Sequence, residues 1–211
     1  MTENHINPTV SIFNADTHPK LMGEAWHLRY RLFKCHLGWE LETTIQAEAD
    51  EFDEGALHCG IIVDGVMLGY WRALPTTKPY LLNTRFSFLL KSQEDFPKAD
   101  DVWEISRFAI DPTLSTRQRR RVGQVLSSCM AAFAAARGAS TLIGLAEPAF
   151  MNFLRRQGLP LQALTSPSHV GNSTAGAVHA LLVSVRTVDI PPALAAPYIQ
   201  QFRQMAFALA S

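Results

Sequence analysis

Cysteine is the scarcest signal in this chain. Cys35, Cys59 and Cys129 are scattered, odd in number and form no CxxC pair, which argues against a disulfide framework and against a zinc knuckle. No apolar run reaches the roughly 18 to 20 residues needed to span a bilayer. The opening MTENHINPTV lacks the basic-then-apolar order of a secretory signal. Internal repeats, low-complexity tracts and Pro/Ser linkers are missing too, so the 211 residues read as one domain, 1–211, with a sizeable core. The seven histidines show no metal-ligand spacing. These absences point to a cytoplasmic globular protein with no metal site.

Net charge is zero overall but not locally. Residues 1–111 carry 10 Lys and Arg against 17 Asp and Glu, a net −7; residues 112–211 carry 9 against 2, a net +7. The basic half suits an anionic ligand, and the acidic half argues against wrapping nucleic acid. A solvated dipole without a task would carry the same charges.

What is present is a change of pattern near Asp111-Pro112. Before it, TVSIF (9–13) reads as a strand and 17–36 as an amphipathic helix with Leu21, Met22, Ala25, Leu28, Leu32 and Phe33 at helical spacing. Residues 40–56 are acidic and nearly free of aliphatic side chains, and predict a mobile loop. HCGIIV and VMLGYWRAL predict a hairpin turned at Asp64-Gly65. A short helix around 83–90 and a strand at 102–110 follow. After Asp111, strand and helix alternate. A stripe from Val122 to Phe133 ends at Gly138, a predicted C-cap. STLIGLA (140–146) reads as a strand, Pro148 to Gln157 as a helix and 177–188 as a long strand. Pro191-Pro192 opens a C-terminal helix carrying Leu194, Ile199, Phe202 and Met205. Strands first and βαβ afterwards predict an α/β (α+β) fold, a mixed sheet with helices on both faces.

Three stretches could carry chemistry. In VWEISRFAI (102–110), Trp103 and Ile105 are out of phase with Phe108 and Ile110, so the alternation slips by one residue. Such a slip is a β-bulge, and it lets Glu104 and Arg107 point the same way as a base and an anion clamp, or as a structural ion pair. In TRQRRRVGQVL, Arg120 to Gly123 opens a helix with Arg117, Arg119 and Arg121 nearby. A helix N-terminus with a glycine suits phosphate, although arginines opening a helix are more often simply solvated. The run AEADEFDEG holds Glu48, Asp50 and Asp53 at spacings that do not fit an EF-hand. A cationic substrate is the better partner for them, with Trp39 and Phe52 near enough to cover a sulfonium; a charged surface loop is the plain alternative.

Together these stretches resemble the autoinducer synthase family, the LuxI type of acyl-homoserine lactone synthase. RYRLFKCHLGW supplies the family's R, F and W as Arg29, Phe33 and Trp39. Its E-x-D-x-F-D follows as Glu48, Asp50, Phe52 and Asp53, and its RLLPTT-x-PYML as Arg72 to Leu82, with Phe86 beyond. Its WE-x-SRF is Trp103 to Phe108. The match spans 29–108.

The resemblance implies a GNAT-like twisted sheet with a V-shaped cleft between its central strands. It also implies an acyltransferase that joins an acyl group to S-adenosylmethionine and closes a lactone, making a quorum-sensing signal. Residues 1–111 would hold S-adenosylmethionine, and 112–211 the acyl donor, acyl-carrier protein by family habit or acyl-CoA. Glu104, Arg107, Asp50 and Asp53 would be catalytic. Arg29, Phe33, Trp39, Arg72, Phe86 and Ser106 would bind S-adenosylmethionine, and no cofactor or membrane is implied. Arg117, Arg120, Arg121 and Gly123 would hold the donor's phosphate, and Gly144, Ala146, Phe150 and Leu154 its acyl chain. Gly144 and Ala146 stand where members preferring 3-oxo chains often carry threonine, which favours a chain without a 3-oxo group. Two other readings stay open: a GNAT acyltransferase for another amine, and a silent binding protein on the same fold.

Overall fold

The computed structural model describes residues 8–92 and 95–208, with side chains up to 204. Most of the opening MTENHINPTV and the side chain of Met205 lie outside the described residues.

A mixed sheet occupies the centre. Its strands are β1 (Thr9–Phe13), β2 (Leu57–Val63), β3 (Val66–Pro75), β4 (Val102–Ile110), β5 (Thr141–Ala146), β6 (Gln162–Ala163), β7 (Ser168–Ser173) and β8 (Gly176–Arg186). They run β1-β2-β3-β4-β5-β8-β6, with β7 also on β8. The β2–β3 turn places Asp64 and Gly65 at φ 50° and 80°, the two positive angles of a type I′ hairpin. Only β4 and β5 pair in parallel among these strands. A parallel neighbour needs a crossover, and α3 (Thr116–Arg137) supplies it.

Alternation along the strands divides the side chains between two faces. Cys59, Ile61, Trp71, Ala73 and Ile105 meet Val122, Leu126, Met130 and Phe133 of α3 on one face. Ser115 caps α3 by accepting from the Gln118 N–H, and Gly138 closes it at φ 66°, where a side chain would be strained. On the other face, Tyr70 and Ala109 pack against Met22, Ala25 and Leu28 of α1 (Pro19–Arg29). Further along the same face, Leu74, Ile143 and Leu182 pack with Leu81 and Leu82 of α2 (Leu81–Arg85).

Several predicted elements change in detail. The helix at 17–36 is α1 followed by a π-helical segment, Tyr30–His36. The widened turn is sealed by Leu37 N–H donating to the Leu32 carbonyl at 2.8 Å. The helix at 83–90 starts earlier, as α2, and ends as a 3-10 turn, Ser87–Leu89. Pro148–Arg156 forms α4 as expected. The C-terminal helix is divided into α5 (Pro192–Ala195) and α6 (Ile199–Ala208), with Pro197, which has no N–H to continue a helix, between them. β7 goes unannounced, because SHVGNS has neither aliphatic alternation nor β-branched density. The loop 40–56 is tied down rather than loose, since Glu48 and Asp53 within it are buried among arginines.

Candidate active site

The bulge read from the sequence is present. Tyr70 pairs with Ala109 but Arg72 with Ser106, which leaves one extra residue on β4. Arg107 takes it up at φ 56°, an uncommon angle for a side chain larger than glycine. Trp103, Ile105, Phe108 and Ile110 therefore all reach one core cluster, while Glu104, Ser106 and Arg107 share a cavity wall.

That cavity exists because two strands part. β4 and β5 share only the pairs Val102↔Thr141, Trp103↔Leu142 and Glu104↔Ile143, although each strand continues further. At the parting point a Cβ on Gly144 would stand 2.9 Å from the Ile105 carbonyl oxygen, so only glycine fits. Beyond it opens a cleft of about 1270 Å³.

Glu104 sits at the apex of the cleft, 1 % exposed. Burial pushes its carboxyl up to about 7. The Leu82 N–H, donating at 3.2 Å, with Arg72 and Arg107 nearby, keeps it from rising further. A carboxyl poised there can accept a proton near neutral pH.

Beside it stands a frame of three arginines and three carboxylates. Arg29 donates to Glu48 at 2.5 Å and to Asp53 at 2.6 Å. Arg72 grips both oxygens of Asp50, donates to Asp53 at 2.6 Å and to the Ser106 hydroxyl at 3.0 Å. Arg107 reaches Glu48 at 3.0 Å and Asp50 at 2.9 Å. Burial alone would raise Glu48, but Arg107 and Arg29 more than offset it and hold it below the ordinary range. The same opposition, with Arg72 and Arg107 as partners, lowers Asp50, and Arg29 and Arg72 hold Asp53 far down.

A buried relay fixes the loop from behind. His58 Nε2 lies 2.9 Å from the Asp53 carbonyl and Nδ1 2.6 Å from the Tyr70 hydroxyl. A carbonyl only accepts, so Nε2 carries the proton and Tyr70 donates to Nδ1. Burial lowers His58 to about 4, so it stays neutral in this role.

The cleft sorts the expected residues. Phe33, Trp39, Asp50, Phe86, Glu104, Ser106 and Arg107 line it, and Phe33 stacks on Trp39 at 4.9 Å. Arg29, Arg72 and Asp53 do not: they are buried behind the wall, where both arginines donate to Asp53 and Arg29 Nη2 is left without a hydrogen-bond partner. The expectation that the carboxylates await a cationic substrate is corrected for Asp53, whose cations are the chain's own arginines. Only Asp50, Glu48 and Arg107 carry the frame to the cavity surface.

Of the residues expected to hold an acyl donor, Arg120, Gly144, Ala146, Phe150 and Leu154 line the cleft, joined by Arg119, Met130, Phe153 and Arg156. Arg117 and Arg121 are exposed and away from it. Gly123 is also corrected. It lies two turns inside α3, so its N–H belongs to the helix ladder. Its missing Cβ makes room for Phe153, whose Cζ would be 2.4 Å away. Sequence reading missed Glu48 as the hub joining Arg29 to Arg107, because one acid in an acidic run carries no mark of its partners. It also missed Val170, Gly171 and Asn172 of β7, which line the cleft.

Comparison with known proteins places the family and the fold. The autoinducer synthase family matches residues 13–186. An acyl-homoserine-lactone synthase of Vibrio anguillarum is 44 % identical over 86 residues, 40 % of this chain and 44 % of that protein. One of Aeromonas salmonicida is 32 % identical over 153 residues, 70 % of this chain and 73 % of that one. The crystal structure of the synthase LasI superposes with a TM-score of 0.72 at 25 % identity, covering 86 % of this chain and 90 % of its own. The ribosomal-protein-S18-alanine N-acetyltransferase of Escherichia coli, at 14 % identity and TM-score 0.51, shares the fold over 85 % of this chain and 94 % of its own, which places the sheet in the GNAT-like class. With the family's span of 13–186 covering most of the sheet, the chain belongs to the autoinducer synthase family, the acyl-homoserine-lactone synthases, which are acyltransferases.

Proposed function

We propose that the chain transfers an acyl group from a carrier thioester to the amine of S-adenosylmethionine and then closes the homoserine lactone. The carrying observation is Glu104: a buried carboxyl near 7 at the apex where β4 and β5 part, beside Arg72 and Arg107. Glu104, through a water, takes the amine proton. The nitrogen attacks the thioester carbon, the C–N bond forms, and the C–S bond breaks, the leaving sulfur taking the proton held by Glu104 to depart as the carrier thiol. The methionine carboxylate then attacks its own γ-carbon. That C–O bond forms as the C–S bond breaks, and its electron pair neutralises the sulfonium as methylthioadenosine leaves. Because the sulfonium is its own leaving group, the reaction as written calls on no metal or redox cofactor.

Arg107 and Asp50 orient the charged ends of the substrate, with Phe33, Trp39 and Phe86 as its walls. Arg29, Arg72 and Asp53 hold those groups in place. This assigns residues 1–111 mainly to S-adenosylmethionine and 112–211 mainly to the donor. Arg119, Arg120 and Arg156 at the cleft suit an anionic arm, and acyl-carrier protein is the donor we favour, in the cytoplasm. Neither nucleic acid nor a membrane surface enters the reaction.

The acyl chain is assigned no 3-oxo group. Gly144 and Ala146 offer no hydroxyl, and the Ile105 carbonyl leaves position 144 no room for one. Incubation with S-adenosylmethionine and a panel of acyl-carrier and acyl-CoA donors, read by mass spectrometry, tests the reading. Lactone and methylthioadenosine together support it; acylation of another amine without methylthioadenosine contradicts it. Dominant 3-oxo products would refute the chain assignment and direct attention to Ser184, a hydroxyl that does line the cleft.

A further inference from the structure

The wall that carries Trp39 is held by a part of the chain far away in sequence. Gly38 and Glu40 flank Trp39, and both are bonded to the β7–β8 hairpin. Thr174 N–H donates to the Gly38 carbonyl at 2.9 Å, and Glu40 N–H donates to the Asn172 carbonyl at 3.0 Å. Trp39 itself bridges Ser173. The Asn172 side chain adds a donation to Glu40 at 3.3 Å. Gly38 permits the approach: at φ 66°, a Cβ on it would stand 2.1 Å from Thr174 Oγ1.

The clasp joins the two halves of the molecule. Val170, Gly171 and Asn172 of the hairpin line the cleft, as do Leu37, Trp39, Glu40 and Leu41 on the other side. Thr174 does not line it. An effect of Thr174 on substrate is therefore indirect, and its hydrogen bond to Gly38 leads to Trp39.

We infer that the β7–β8 hairpin is a positioning element for S-adenosylmethionine: its backbone clasp on Gly38 and Glu40 sets Trp39 against Phe33 and so completes the wall that holds this substrate. Two main-chain hydrogen bonds and a glycine contact fix the loop's path, while the Phe33–Trp39 stack at 9° between planes fixes the ring. Loss of the clasp frees the loop to move away from the cleft, and the cost falls on the substrate that Trp39 covers. This inference rests on the proposed placement of S-adenosylmethionine at Trp39.

Thr174→Pro tests it, because proline removes the one N–H that bonds Gly38. Ser173, before it, is already in a strand, where a residue preceding proline is at ease. Thr174→Ala keeps the N–H and serves as the conservative control, and Trp39→Ala tests the underlying placement. Steady-state kinetics are run with each substrate varied, after thermal melts confirm folding. The expected result is a KM for S-adenosylmethionine raised about fivefold or more in Thr174→Pro, with kcat and donor KM within about twofold and Thr174→Ala near wild type, since uniform binding alone is lost. An unchanged KM for S-adenosylmethionine in Thr174→Pro, with a raised one in Trp39→Ala, overturns the clasp and leaves the placement standing. An unchanged value in Trp39→Ala overturns the placement, and the clasp's role with it.

Discussion

A carboxyl held near neutrality by burial gives Glu104 two signatures. In catalysis it acts as a base only when ionised, so kcat/KM should climb as pH rises through about 7. Glu104→Gln should lower kcat by roughly 10²- to 10⁴-fold and abolish that limb; an unaltered limb would assign it to another group. In stability the sign is opposite. The folded value lies above the ordinary 4.5, so stability from this group is full below 4.5 and is lost as pH rises through about 7, on the order of 3 kcal/mol. Urea unfolding across pH should show a shallower decline between pH 4.5 and about 7 in Glu104→Gln. Glu48, Asp50 and Asp53 behave the other way. Their folded values are depressed, so their contribution is present above the ordinary carboxylate range and fades as pH falls through their folded values. The residue scale is also where sequence reading ran short. The out-of-phase apolar pairs around Ser106 and Arg107 foretold the bulge, because side-chain alternation is written directly in the order of residues. The partners of Arg29 and Arg72 were not legible, since a buried ion pair is made by groups 19 to 24 positions apart whose pairing no local pattern records.

At the scale of elements, the cleft is a consequence of two strands that pair for three residues and then diverge. Gly144 marks the divergence. In Gly144→Ala the added Cβ would meet a backbone carbonyl, which cannot swing away as a side chain can. The expected cost is about 1 to 3 kcal/mol of stability, measured by urea unfolding, together with lower activity as the apex shifts. Gly123→Ala is the informative contrast, since its obstacle is the far end of the Phe153 ring, and a smaller loss is expected. The hairpin at β2–β3, the C-cap at Gly138 and the strand at 141–146 were legible because turn glycines and apolar runs are strong local signals. β7 was not, because its strand character comes from pairing with β8 and from its links to Trp39 and Glu40, not from its own composition.

For the whole molecule, the opposed charges of the two sequence halves match the proposed division of labour. Arg119, Arg120 and Arg156 bring positive charge to the donor side of the cleft, whereas the acidic run 48–53 is largely neutralised by internal arginines. Raising salt from about 0.05 to 0.5 M shortens the screening length severalfold. It should therefore lower kcat/KM for an acyl-carrier donor by tenfold or more while leaving the KM for S-adenosylmethionine within about twofold. A flat salt profile would show that these arginines do not steer the donor.

Whether this cleft makes a lactone is decided by the stoichiometry of products in a reaction supplied with S-adenosylmethionine and one acyl donor. One methylthioadenosine released per lactone formed is expected, and neither product above background in Glu104→Gln. Methylthioadenosine without lactone, lactone without methylthioadenosine, or full activity in Glu104→Gln would contradict it.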